Sequence, residues 1–229
     1  WIVFDLDYGF GFRMDDNGYQ HQSFHFATKE NGTGHPNPPW ATLLFRKLLE
    51  NESFKKQFLS TFITHMYSSF QPDWCNKVLA DLSAVIDFEI EFNQEKFGRT
   101  KSRWLQYLHT LRQYAVNRIN FMPGYVQSFF NLSAHNVIVA VSNPDTRKGK
   151  VSINNALVQM YPFSMETYNE LPLSLIAVPE KGYQFKQWNH SGTENMYCGD
   201  IGLYSDTSFT LDIEPGFEPI SVNNGVFLN

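Results

Sequence analysis

The chain has 229 residues, 42% of them hydrophobic and 16% aromatic, with 18 basic against 23 acidic side chains and a net charge of −5. That length buries a sizeable core and is expected to make two domains; the acidity, with five basic against nine acidic residues from Arg147 onward, argues against a nucleic-acid partner for the C-terminal part. No apolar run approaches the roughly 18 residues of a membrane span, and the absence of a signal peptide, in a chain that does not begin with Met, says nothing about export.

The first element is the apolar run Trp1-Ile2-Val3-Phe4, which delivers Asp5 and Asp7 into the turn Gly9-Phe10-Gly11. A strand puts side chains two residues apart on one face, and hard oxygen ligands at that spacing suit Mg²⁺ or Mn²⁺. Gly9 and Gly11 let the backbone turn away. On the residues alone three sites fit: the metal loop of a kinase-like phosphotransferase, the Asp-x-Asp of a nucleotide-sugar transferase, and a calcium loop. The calcium loop is weakest, because Phe10 stands where its sharp-turn Gly belongs and its bidentate Glu is missing. A strand end whose aspartates only cap a turn competes with all three.

Residues 13–38 are polar, rich in Gly, Asn, Pro and His, and without a sustained period, so they read as a long loop in which His21, His25 and His35 are solvated rather than metal ligands. Helices are expected from there to about residue 131. Pro39 opens one with Leu43, Leu44, Leu48 and Leu49 on a core face, and Asn51 caps the next, where Phe54, Phe58, Phe62 and Met66 recur every four residues. Pro72 starts a third with Val78, Leu82, Val85, Ile86 and Ile90 inward and Asp87, Glu89 and Glu91 solvated. A fourth runs from Lys101 to Asn117 with Trp104, Leu108, Leu111 and Ala115, and Pro123 begins the last. Arg103, Arg112 and Arg118 are candidate phosphate ligands, but pairing with acidic neighbours on the helix surface is the stronger expectation.

Near His135 the period switches to two, and strands are expected at 135–142, 149–153, 171–178, 183–188 and 208–213. Residues 142–150, punctuated by Pro144 and Gly149, read as an exposed connection between the helical and β parts. Tyr183 and Phe185 alternate onto one face and are expected to close a small core with Trp188 rather than to form a carbohydrate platform. Cys75 and Cys198 allow one disulfide at most and are expected to stay apart, and the four Asn-x-Ser/Thr sequons are expected to be chance. The fold class is therefore α+β, divided at 1–134, 135–220 and a tail at 221–229 that leads into a linker or further module.

The run Asp5-Leu6-Asp7-Tyr8-Gly9-Phe10-Gly11 resembles the metal loop of the CotH family of spore-coat-type secreted kinases. The stretch from Trp40 to Phe58, with Leu43-Leu44, Asn51, Phe54-Lys55 and Phe58, is similar to the family's helix pair, and Arg103-Trp104 also fits its pattern. The resemblance implies ATP- and metal-dependent phosphoryl transfer to protein hydroxyls, with Asp5 as the Mg²⁺ or Mn²⁺ ligand that bridges nucleotide phosphates and Asp7 as a second ligand. It also implies that Gly9 and Gly11 lie at the nucleotide, that residues 13–38 correspond to an activation segment, and that the protein is extracellular, on the cell surface or periplasmic. Its partner would be a protein substrate, and a monomer is expected. The family's catalytic-loop Asp, its Asn partner and its phosphate-anchoring Lys precede the metal loop, so the chain is expected to be the C-terminal part of such a kinase, inactive alone, with no catalytic residue of its own assigned. The run Leu173 to Trp188 resembles a bacterial surface β-repeat. Other classes stay open: a non-enzymatic adhesion or spacer module, or a fragment of a nucleotide-sugar transferase.

Overall fold

The computed structural model describes residues 9–11, 18–32, 37–133, 136–142, 144–189, 199–201 and 209–220. Within them six helices precede eight strands, which makes the chain α+β, a helical part followed by a small all-β part. They divide into two units: Trp1–Phe58 with His65–Ser133, and Leu59–Thr64 with Ala134–Asn229.

The helices are α1 (Ser23–Thr28), α2 (Pro39–Leu49), α3 (Glu52–Tyr67), α4 (Pro72–Lys96), α5 (Lys101–Arg118) and α6 (Met122–Phe130). Their starts follow from side chains that satisfy the first free N–H groups. Asn51 Oδ1 accepts from the Phe54 N–H at 3.0 Å, Gln71 Oε1 from Trp74 at 2.6 Å, and Thr100 Oγ1 from Arg103 at 3.2 Å. Helix α6 stops where Asn131 turns left-handed at φ 51°. The first unit buries Phe24, Met66, Ile90, Leu108, Ala115, Met122 and Val126. Beside them an aromatic cluster links α1, α3 and α6: Phe24 lies 5.5 Å from Phe129 and 5.1 Å from Phe130, and Phe58 lies 6.2 Å from Phe130.

Two expected core faces are corrected. On α2, Leu43, Leu44 and Leu48 are exposed and the buried residue is Thr42, whose hydroxyl donates to the Lys29 carbonyl at 2.9 Å. On α4, Leu82, Val85 and Ile86 are exposed while Ile90 is buried. At 3.6 residues per turn Val85 lies about 140° round the helix from Ile90. A helix apolar on two sides thus covers only the one that meets its neighbour, here α5. Periodicity finds both stripes and cannot rank them. On α3, Phe54, Phe58 and Phe62 are half-buried, whereas Leu59 and Ile63, between the expected positions, are 1% exposed.

The second unit holds β1 (Asn136–Val141), β2 (Gly149–Ile153), β3 (Ala156–Leu157), β4 (Phe163–Tyr168), β5 (Leu173–Pro179), β6 (Tyr183–Asn189), β7 (Gly199–Ile201) and β8 (Phe209–Pro219). They form two four-stranded sheets, ordered β4-β1-β8-β6 and β3-β2-β5-β7. Only β1 and β8 run parallel; the other pairs are antiparallel. Alternation does the folding work here. Val137, Val139 and Val141 on β1, Phe163 and Met165 on β4, and Leu173 and Leu175 on β5 are all buried, each apolar side chain contributing about 1.5–3 kcal/mol. The sequence reading missed β3, β4 and β7 and began β8 on its apolar half only.

Residues 142–150 do not join the helical and β parts. They lie inside the second unit, between β1 of one sheet and β2 of the other, where Arg147 folds back on Asp145 and the Asp145 carbonyl accepts from the Lys148 N–H at 2.8 Å. The period break is real, but it marks a change of sheet.

A bulge settles the role of Trp188. In the β6–β8 register Phe185 faces Phe217 but Gln187 faces Gly216, so Lys186 is an extra residue and the side-chain phase slips by one. Trp188, three residues on from Phe185, thereby returns to its face, 5.1 Å from its ring and 4% exposed. Trp188 closes the core, as expected, while Tyr183 and Phe185 are half-buried.

A buried polar knot ties the unit together. Asn154, left-handed at φ 47° in the turn after β2, donates to Thr64 Oγ1 at 2.9 Å and to the Ser60 carbonyl at 3.4 Å, and accepts from the Ser174 N–H at 2.8 Å. The Ser60 hydroxyl donates to the Pro172 carbonyl at 2.9 Å. The middle of α3 thus carries Ser60 and Thr64 because its partners are backbone and amide groups, not apolar side chains.

Candidate metal-loop site

Asp5 and Asp7 lie outside the described residues; Gly9, Phe10 and Gly11 lie within them. The turn takes a conformation that demands glycine at one position and strains a side chain at the other. Gly11 is left-handed at φ 71°, and a Cβ there would stand 2.6 Å from Cδ2 of Tyr114. Phe10, at φ 53°, is held against two rings, Tyr114 at 5.8 Å and Phe70 at 6.1 Å. Helix α5 supplies Tyr114, and the chain after α3 supplies Phe70, so the turn rests on a helical ledge.

The described part of the stretch beyond the turn, residues 18–32 and 37–38, holds more regular structure than its composition predicts. Residues 18–20 make a 3₁₀ turn and α1 follows, capped by Gln22, whose side chain accepts from the Phe24 N–H at 3.2 Å. Phe24 provides the reason: one large apolar residue in a polar segment is enough to seat α1 on α6. Further on, Asn37 donates to the Phe26 carbonyl at 2.7 Å and Thr42 to that of Lys29.

Arg118 bridges 95 to 99 residues of sequence within this unit. Its Nη1 donates to the carbonyls of Tyr19 and His21, both at 2.6 Å, and Nη2 donates to Ser23 Oγ at 2.8 Å. The guanidinium also stands 5.9 Å from the ring centres of Tyr114 and Tyr125, and the Tyr125 hydroxyl donates to the Gln20 carbonyl at 2.6 Å. The expected pairing with acids is corrected for two of the three arginines: Arg118 donates to two carbonyls and a hydroxyl, and Arg103 Nε donates to the Tyr107 hydroxyl at 2.9 Å. A signal was present in the sequence, which has no Asp or Glu between Glu95 and Asp145.

The other candidates are quickly placed. His21 and His25 are exposed and lie edge-on to Phe26 and Phe129, while His35 is outside the described residues. Asp87 pairs with Lys101 at 2.9 Å. Cys75 is a free thiol whose pKa burial pushes up; Cys198 is outside the described residues, as is the tail 221–229. Among the described residues no three His, Cys, Asp or Glu side chains converge as a metal site, and the candidate donors for a cation, Asp5 and Asp7, lie outside those residues. Their chemistry fits one: two carboxylates in Asp-x-Asp are hard anionic ligands of the kind Mg²⁺ takes alongside nucleotide phosphates. No helix among the described residues is long and apolar enough to cross a membrane.

The described geometry is therefore a glycine-pinned turn that follows an Asp-x-Asp in sequence and packs on Phe70 and on Tyr114 of α5. The family model described as CotH kinase protein matches residues 1–122, and the chain belongs to that family. No curated protein and no solved structure matches it.

Proposed function

We propose that the chain is the metal-loop portion of a CotH-type secreted kinase that transfers phosphate from ATP to protein hydroxyls, with residues 1–134 as the kinase-like part. The observation that carries this is the family match, which covers the Asp5 to Gly11 run together with every helix of the first unit up to Met122. Asp5 is the ligand of Mg²⁺ or Mn²⁺, and Asp7 its second ligand or orienting group. The cation, when bound, neutralises charge on the nucleotide phosphates. Gly9 and Gly11 keep side chains away from the nucleotide, and residues 13–38 shape the groove for the protein substrate. The β unit at 135–220 is an accessory module of the bacterial surface type, and the protein acts outside the cell or on its surface.

Phosphoryl transfer also needs a base-position Asp and a phosphate-gripping Lys, and we assign neither role within this chain. The test is therefore radiolabelled ATP with Mn²⁺ or Mg²⁺ on the chain, on the natural protein that contains it, and on that protein with Asp5→Ala. Transfer by the natural protein and its loss in Asp5→Ala are expected. Full activity in the variant would overturn Asp5 as the metal ligand.

A further inference from the structure

We propose that Tyr114 and Arg118, one turn apart on α5, are positioning residues that fix the chain on both sides of the metal loop's exit. Tyr114 holds the near side, because its ring fills the space a Cβ on Gly11 would need and packs on Phe10. Arg118 holds the far side through its bonds to Tyr19, His21 and Ser23. Only residues 12–17 separate the two anchored stretches. One helix face thus anchors the chain at Phe10 and Gly11 and again at Tyr19, His21 and Ser23.

The choice of arginine follows from the acceptors. They are two carbonyls and a hydroxyl spread over five residues, and a planar fork with five donors reaches all three, whereas a lysine ammonium is a point that cannot span them. The stretch from α5 through α6 offers no competing carboxylate. Tyr114 and Tyr125 flank the guanidinium and limit its rotation.

The consequence for catalysis rests on Asp5 being the metal ligand; the anchoring does not. Anchoring is tested on this chain by chymotrypsin. Arg118→Gln should speed cleavage after Tyr19 and Phe24 about 10-fold or more, with Arg118→Lys between it and the parent, while melting of the chain shows that the helices stay folded. Cleavage at the parent rate in both variants overturns the proposal. In the natural protein, Tyr114→Ala should raise the Mn²⁺ concentration for half-maximal transfer about 10-fold with little change in protein-substrate KM, and Arg118→Gln should do the reverse. If Asp5→Ala abolishes transfer yet neither variant moves its parameter, the positioning roles are wrong. If Asp5→Ala stays active, the metal assignment is what fails, and the proteolysis still decides the anchoring.

Discussion

Gly11→Ala puts the turn after the Asp pair under two separable loads. The first is conformational: at φ 71° an alanine pays about 1–2 kcal/mol for the left-handed region. The second is steric, since the new Cβ would meet the Tyr114 ring at 2.6 Å and the ring or the turn must move, an overpacking cost of about 1–3 kcal/mol. Together they amount to about 2–5 kcal/mol, capped by the free energy at which the turn lets go of α5. The two parts are told apart by a double-mutant cycle with Tyr114→Ala, which removes the obstacle and leaves the strain. Amide exchange at residues 9–11 and at Tyr114 reads the local opening, and urea unfolding reads any global part. Opening should become easier in Gly11→Ala and be partly restored in the double variant. A Gly11→Ala protein that matches the parent within about 0.5 kcal/mol, or whose cost is undiminished without the Tyr114 ring, would refute the described seat of the turn.

Three further outcomes are expected. Asn154→Ala should destabilise the second unit by about 2–4 kcal/mol, by leaving the Ser174 N–H without its partner, by removing one of the Thr64 hydrogen bonds and by strain at φ 47°, while Asn154→Gly should recover about 1 kcal/mol of it; urea unfolding followed by circular dichroism measures both. Trp188→Ala should cost about 3–5 kcal/mol and change binding to a glycan panel not at all, whereas an unchanged melting temperature with lost glycan binding would favour an adhesion module. Arg147 holds the Asp145 carboxyl down at about 2 from its ordinary 3.8, so its contribution to stability is present above 3.8 and lost as pH falls through about 2. Carboxyl-carbon titration by NMR should show this, with Arg147→Gln returning Asp145 toward its ordinary value.

Much of the architecture was legible because the hydrophobic period is local information. Pro39, Asn51 and Pro72 marked helix starts that the structure repeats, and the switch to period two near His135 marked the first strand. What failed was partner choice, which is not local. Val85 and Ile90 are equally apolar, and only the position of α5 decides that Ile90 is covered. The strand β4, Phe-Ser-Met-Glu-Thr-Tyr, alternates correctly but directly follows Pro162, which reads as a turn signal. The candidate site divides the same way. The Asp-x-Asp and its glycines announce themselves by spacing, whereas Arg118 reaches across 95 to 99 residues to its acceptors, and no spacing rule spans that.

The acceptors that Arg118 chooses bear on how the segment after the metal loop could serve a protein substrate. Carbonyl oxygens belong to the backbone, so gripping Tyr19 and His21 there constrains the chain without using their side chains. The Gln20 carbonyl taken by Tyr125 and the Phe26 carbonyl taken by Asn37 follow the same rule. Several side chains are seated as well: Phe24 by the aromatic cluster, Ser23 by Arg118, Tyr19 against Phe121 at 5.7 Å and His25 against Phe129 at 5.1 Å. His21, His25 and Phe26 are nevertheless exposed, on a backbone that these carbonyl bonds hold. A surface that reads a partner requires that combination, because binding is weakened by every residue that must be ordered on contact, and a path fixed beforehand removes the backbone share of that cost. Exchange of these exposed residues would therefore alter which protein is bound while leaving the seat of the metal loop unchanged, and that separation supports the reading of this segment as the wall of a substrate groove.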